Sequence, residues 1–398
     1  MSVASLTLPR PVATAAVSTL LSVALVLSGC SSAPKAAKAA KVTKPVTPPA
    51  TAVAKPPPFQ ATGMPPELVA VIRPLYLGGA VAASQSAATV LSRRKPAAGP
   101  TVVVRGAMGA WKGVPIAVVT SGKDVTLAVK APRWKVVGGW WPSVGVAAPS
   151  LGGSPRRVLV VGSDARKGQS VNGSRADSLH IVGYDGHGGG GIVGIARDAY
   201  VPLATGGRGK INSALPAGGP VALQRTVSSA TGVRLDGYLI TGFDGFRRLI
   251  NGIGGLPIKV PVTVRDRDAQ ANIQAGARKL TGRQALAYGR ARHTVAGGDF
   301  GRSANQGRLI MAARALAQLA GPAKLPGILQ AVGRNVTTNM SAEQVLTFAA
   351  AAYVTNPKKV PNRVATGGFG MTSGGESIVL LDAGARRLFA DIRDGNLS

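Results

Sequence analysis

Aspartates and arginines recur in this chain wherever an apolar run ends. Asp164 and Arg166 follow the run Arg157–Gly162, Arg175 and Asp177 precede Ser178–Gly183, and Arg197 and Asp198 follow Ile192–Ala196. Arg290 and Arg292 come later, two apart, and then Asp299, Arg302 and Gln306. Arginines in number with a few aspartates, and no required histidine, cysteine or serine nucleophile, suit phosphoryl transfer. Guanidinium forks pair bidentately with phosphate oxygens, and carboxylates hold a magnesium ion that bridges those oxygens. Such reactions run largely on positioning and on stabilising charge at the phosphate. For any single arginine a surface ion pair is the plain alternative; the repeated placement at run ends favours a site.

The elements that must position these groups are β-rich and helical in alternation. The runs 157–162, 178–183 and 192–196 are short, continuous and apolar, as interior strands covered on both faces are. Pro220–Ala230 reads as a helix opened by proline, Tyr238–Thr241 as a strand, Asp244–Ile250 as a helix, Thr281–Arg290 as another and Ser303–Leu319 as a long one. Arg302 and Gln306, four apart, share a helix face. The expected class is α/β, a three-layer α/β/α domain with a central mixed sheet. Ligands of open α/β sheets bind where strand ends and loops converge, which is where the charged residues lie.

Seven ordered segments resemble the LytR-CpsA-Psr family: GSDAR at 162–166, SRADS at 174–178, ARDAYVPL at 196–203, KIN at 210–212, FDGFRRLINGIGGLPIKVP at 243–261, LTGRQALAYGRAR at 280–292 and GDFGR at 298–302. The resemblance covers about residues 155–315. It implies a phosphotransferase that takes a glycopolymer from a polyprenyl-pyrophosphate carrier and attaches it to peptidoglycan through a phosphodiester, possessing in some cases pyrophosphatase activity. Carried over by position, Asp164 and Asp177 would coordinate Mg2+ with the pyrophosphate. Arg175, Arg197, Arg290, Arg292 and Arg302 would clamp phosphate oxygens, with Arg166 and Gln306 in support. Phe243, Phe246, Leu249, Ile250 and Ile253 would line a tunnel for the lipid, though their helical spacing suits core packing equally. The chain departs from the pattern at Asn305, where arginine is usual, at Gly307, where a basic residue is common, and at Ala196, where proline is frequent; Arg308 is the expected partial replacement.

The remaining sequence sets the context. The 398 residues carry 47 Lys and Arg against 16 Asp and Glu, a net charge of +31. That balance calls for a polyanionic partner. Between 151 and 310 the count is 22 basic to 9 acidic residues, so the largest share falls on the motif-bearing stretch. Arg10 precedes an apolar run that ends in Leu27-Ser28-Gly29-Cys30, a lipobox-like close to a secretory signal at 1–30, with Cys30 as the lipidation site. Residues 31–60 are an Ala/Lys/Pro stretch expected to be a disordered tether. Residues 61–150 read as a small accessory region with short strands, and 321–398 as completion of a core domain at 151–320. Trp134, Trp140 and Trp141 are expected to pack against the next domain rather than stack on carbohydrate. His187 with Gly188–Gly191 imitates an esterase loop but joins two strands as a hairpin turn. Asp266 and Asp268, between Arg265 and Arg267, read as local charge pairing.

The expected protein is therefore a lipid-anchored enzyme on the extracytoplasmic face of a bacterial cell membrane, acting on a polyprenyl-pyrophosphate-linked glycopolymer and peptidoglycan. The runner-up is a non-catalytic envelope lipoprotein that binds polyprenyl-phosphate lipids or anionic wall polymers. Nucleic acid ranks last: export takes the chain away from the chromosome and no nucleic-acid motif is present.

Overall fold

The computed structural model describes residues 57–398, apart from positions 98, 100, 154, 155 and 294. The signal, Cys30 and most of the tether lie outside the described residues. The first strand, β1 (Phe59–Thr62), begins just inside the stretch read as tether and pairs in parallel with β2 (Val102–Trp111).

Residues 59–150 form one six-stranded sheet. To β1 and β2 it adds β3 (Val114–Ser121), β4 (Asp124–Lys130), β5 (Trp134–Trp141) and β6 (Val146–Ser150), each antiparallel to its predecessor. Successive side chains of a strand face opposite ways, and both faces here are covered. Ala117, Val119 and Ala128 face α1 (Pro66–Leu77) and α2 (Gln85–Leu91), and Ile116, Val118 and Leu127 face the rest of the molecule. That double burial explains the unbroken apolar runs. Trp134 and Trp141 pack into the sheet's own core with α1, which corrects the expectation for them, while Trp140 borders the shared core. Trp111, which carried no signal, makes the cross-connection by donating Nε1–H to Met340 O at 3.0 Å.

The second six-stranded sheet contains the apolar runs of the motif region: β7 (Arg156–Ser163), β8 (Ala176–Tyr184) and β9 (Gly190–Ile195). A short hairpin, β10 (Tyr200–Pro202) and β11 (Arg208–Lys210), leads to α3 (Ala214–Thr231) and β12 (Gly237–Thr241). After α4 (Phe243–Gly252) come two small antiparallel pairs. One joins β13 (Leu256–Val260) to β16 (Gly276–Leu280), the other β14 (Val264–Asp266) to β15 (Ala271–Ile273). Then follow α5 (Gly282–Arg290), α6 (Asp299–Ala320), α7 (Leu325–Gly333), β17 (Thr337–Thr338), α8 (Ala342–Val354), β18 (Asn362–Val364), the hairpin β19 (Gly367–Met371) and β20 (Ser377–Leu381), and α9 (Ala383–Asp391). The strand order is β17-β12-β7-β8-β9-β18, with β12/β7 and β9/β18 parallel and the rest antiparallel.

The result is the expected α/β/α layering. Leu159, Leu179, Ile181 and Val193 pack on Leu223 and Val227 of α3 and Phe389 of α9. Val158, Val182 and Ile192 pack on Leu329 of α7 and on Val345 and Leu346 of α8, which also meet the first sheet. The boundaries of α5 and α8 follow from capping boxes, Thr281 with Gln284 and Ser341 with Gln344, each satisfying two orphan N–H groups. His187 lies in the β8–β9 turn, as read.

Candidate active site

The sheet's topology gathers the charged motifs. β7, β9 and β12 run one way and β8 the other, so the ends of β7, β9 and β12 and the start of β8 share one edge. Asp164, Arg197 and Phe243 leave from that edge, and Asp177 enters there. The β7–β8 register slips between Gly162↔Ser178 and Ser163↔Ala176, leaving Asp177 as the unpaired residue of a bulge. A bulge of this kind re-aims a side chain beside a site.

Above this edge opens a cavity of about 450 Å³ with two unlike ends. Asp177, Arg197, Arg290, Arg292 and Arg302 line the charged end. The other end is apolar. Val160 and Leu239 form its floor on the sheet, Phe246, Leu249 and Ile250 of α4 and Leu286 of α5 one wall, and Leu309, Ile310 and Ala313 of α6 with Val332 and Val336 the other. Phe243 stands between the two ends with the Arg290 guanidinium over its ring at 4.9 Å, a cation–π contact.

The charged end holds its arginines in two different ways. Arg197 donates Nη1–H to Asp177 Oδ2 at 2.5 Å and lies 3.6 Å from Asp198 and 4.0 Å from Asp299. Arg302 pairs with Asp299, Lys210 with Asp198 at 3.7 Å, and Asn212 reaches Asp177 Oδ1 at 3.5 Å. Burial lowers the proton affinity of Arg197, but Asp177, Asp198 and Asp299 outweigh it and raise its pKa overall. Burial of Arg302, with Arg197 and Arg292 nearby, wins over Asp299, so its pKa falls. Among the described residues Arg290 and Arg292 have no carboxylate partner for their guanidinium groups; Arg292 Nε–H reaches His293 Nε2 at 3.2 Å. Positive charge on this wall is left for a ligand.

Asp266 explains how that wall is held. It is 4% exposed and accepts backbone N–H from Ala269, Arg292 and His293 at 2.8–3.0 Å. Burial alone would raise its pKa, yet the three donors hold it down at about 2. The reading of Asp266 as a local partner of Arg265 and Arg267 is therefore corrected: it anchors the backbone of Arg292. Asp268 Oδ2 lies 3.1 Å from the same His293 Nε2, which can donate to it only when that nitrogen carries a proton and so gives up the Arg292 bond. Gln306 donates Nε2–H to Gly289 O at 2.9 Å and ties α6 to the end of α5. Gly282 lets α4 approach, since a Cβ there would lie 2.3 Å from Arg247 O.

Other sequence assignments land elsewhere. Asp164 sits at the same sheet edge, its Oδ1 taking the Arg175 N–H at 2.8 Å, but neither residue lines the cavity. Arg166 lines a neighbouring cavity of about 400 Å³ with Lys167, Arg247 and Arg283, sharing Phe243 and Arg290 with the first. Ile253 packs around Leu256 and Tyr288 and is not part of the bore. Arg308 does not replace the missing clamp: it donates to Asn305 Oδ1 at 2.7 Å and stays out of the cavity lining. A Cβ at position 307 would run into the Asn362 side-chain amide, which itself donates to Ala304 O. Two carboxylates at one edge are what magnesium uses when phosphate oxygens and water complete its shell. Among the described residues no group of three or more His, Cys, Asp or Glu forms an all-protein cage.

A mixed sheet with arginines around a half-charged, half-apolar cavity defines the class of fold and site, an α/β/α protein. The chain belongs to the LytR_cpsA_psr family, whose model matches residues 145–382. It is 31% identical over 252 residues to the probable cell wall biosynthesis protein LcpB of Corynebacterium glutamicum, covering 59% of this chain and 60% of that protein. It is 33% identical over 198 residues to the polyisoprenyl-teichoic acid–peptidoglycan teichoic acid transferase TagV of Bacillus subtilis, covering 47% of this chain and 50% of that one. The alignments thus span half to three fifths of these relatives. The crystal structure of B. subtilis TagV superposes with a TM-score of 0.52 at 29% identity, covering 61% of this chain and 98% of that one. A structure described as TagT bound to LI-WTA shares the fold with a TM-score of 0.50 at 22% identity, covering 62% of this chain and 92% of that one.

Proposed function

We propose that the protein is a phosphotransferase that moves a glycopolymer from a polyprenyl-pyrophosphate carrier to peptidoglycan through a phosphodiester bond. One observation carries the reading: a single cavity joins an arginine-lined mouth to an apolar bore, which matches a lipid whose head is a pyrophosphate and whose tail is hydrocarbon. TagV, of similar sequence and fold, is named for such a transfer.

In this reading the tail lies along Leu249, Ile250, Leu309 and Ile310, and the pyrophosphate sits between the paired arginines, Arg197 and Arg302, and the unpaired ones, Arg290 and Arg292. An acceptor hydroxyl oxygen attacks the glycan-bearing phosphorus. The bridging P–O bond breaks, polyprenyl phosphate leaves with the bonding electrons, and the hydroxyl proton passes to a carboxylate of the Asp177, Asp198 and Asp299 group. Arg290 and Arg292 stabilise charge gathering on the phosphates. Asp177, with Asp164, would hold Mg2+, which when bound supplies a Lewis acid that neutralises phosphate charge. Water in place of the hydroxyl would give pyrophosphatase activity from the same groups. Cys30 would carry the lipid that keeps the protein on the extracytoplasmic face; among the described residues no helix is long and apolar enough to cross a membrane. A second reading, a binder of polyprenyl phosphate without catalysis, draws on Asn305 and Gly307, since Arg308 is bonded to Asn305 and does not line the cavity.

Release of polyprenyl phosphate from a short-chain glycan-bearing pyrophosphate, measured with Mg2+ and again with chelator, decides between the readings. Magnesium-dependent release that Asp177→Asn abolishes is expected. Tight binding with no release by the native chain would leave only the binder.

A further inference from the structure

Rings that stack on sugars must be open to solvent, and the tryptophans are not: Trp111, Trp134 and Trp141 are buried, and Trp140 packs partly buried against the shared core. Among the described residues the one aromatic side chain that stands largely exposed is Phe369, at 71%, with Met371 beside it at 71%. They are two apart on β19 and so share a face of the hairpin. The Phe369 ring lies 5.8 Å from that of Phe300, tilted by 52°.

Phe300 is in the first turn of α6, between Asp299 and Arg302, whose side chains build the charged mouth. The other strand of the hairpin is fixed to the same mouth, because Val379 N–H donates to Asp198 O at 2.9 Å and Val379 bridges Ala199. Phe369 is flanked by Gly368 and Gly370, and a Cβ at 368 would meet nothing within 4 Å.

We propose that Phe369, Phe300 and Met371 form a platform on which sugar rings of the acceptor glycan stack while one hydroxyl reaches the phosphate site. The apolar C–H face of a pyranose matches an open aromatic ring, and Ser377 pairs with Met371 across the hairpin. Charge decides against the alternative occupant. Apolar tips that dip into anionic membranes are accompanied by Lys and Arg, whereas the hairpin itself, 367–381, contains none and carries Glu376 at its turn, with Arg363, Arg386 and Arg387 outside it. The inference rests on the transferase reading above and names where its acceptor binds.

Phe369→Ala tests it in the full chain, with a polyprenyl-pyrophosphate-linked glycan as donor and soluble peptidoglycan strands as acceptor. The acceptor KM should rise roughly three- to tenfold with the donor KM unchanged, and Phe369→Trp should restore it. Calorimetric binding of the glycan strands alone should weaken by the same factor. Unchanged acceptor KM and strand binding would overturn the platform. So would loss of cosedimentation with phosphatidylglycerol vesicles while acceptor KM stays as it was. If the native chain transfers nothing, the transferase reading falls, and strand binding still reports on Phe369 separately.

Discussion

The two six-stranded sheets of this molecule treat a charged side chain in opposite ways. In the first, Asp124 is fully buried and its needs are met locally: Ser143 donates both its backbone N–H and its hydroxyl, and Trp141 Nε1–H closes nearby on Thr126 Oγ1 at 2.7 Å. Asp124 also raises the pKa of the buried Tyr76 hydroxyl, in concert with burial itself as the larger cause. In the second sheet polarity is deliberately left open at one edge. Among the described residues the guanidinium groups of Arg290 and Arg292 have no carboxylate partner, although Asp177 lines the same cavity. A closed polar network stabilises a fold, whereas charge left without a partner beside an apolar bore is a binding device.

Breaking the open region should give the largest effect. Arg290→Ala is expected to lower transfer roughly 100- to 1000-fold, by analogy with loss of a transition-state donor, while the thermal midpoint stays put. A matching loss of stability would make Arg290 structural and dissolve the contrast. Asp124→Ala should do the reverse. It removes the charged partner of the Ser143 N–H and hydroxyl, donors on an exposed residue that water can reach, and should cost about 2 kcal/mol of unfolding free energy in urea titrations, with transfer by the folded protein unchanged.

A pH test sharpens the comparison within the second sheet. His180 is fully buried, and burial, opposed only by its bond to Ser303 O, lowers its pKa to about 4. An unfolded chain protonates the same ring near pH 6.5, so between these values the unfolded state binds more protons. Stability should therefore fall as pH drops from about 6.5 towards 4, by roughly 3 kcal/mol from this group. The decline should flatten in a folded His180→Gln variant; an equal decline there would assign it to other groups. The smallest effect is expected at Ile253. Ile253→Val should cost about 1 kcal/mol and leave preference for lipid chain length unchanged, while Ile310→Trp, which fills the bore, should shift that preference to shorter chains.

Much of the site was legible because its parts are local strings at strand ends. Asp177, Arg197, Arg290, Arg292 and Arg302 were named from spacing and resemblance, and the structure places all five on one cavity. Phe243, Phe246, Leu249 and Ile250 also line it, since α4 turns one face to the sheet. Asp266 was misread because its partners, Arg292 and His293, are 26 and 27 positions away and use backbone N–H groups. Asp198 and Asp299 were seen beside the arginines, but pairing across Arg197 depends on three elements meeting. The α6 and α7 wall of the bore reads in sequence as ordinary apolar helix.

The amino-acid sequence by itself determined the alternation of strands and helices, the capping boxes at Thr281 and Ser341, the one-sided charge and the family motifs. Each of these is a short-range property of neighbouring residues. The tertiary structure decided which arginines are neutralised and which remain open, that Arg166 and Ile253 stand outside the cavity, and that Phe369 rather than a tryptophan is exposed. Those outcomes depend on burial and on contacts between residues far apart in the chain, and burial is a property of the packed molecule that no local pattern contains.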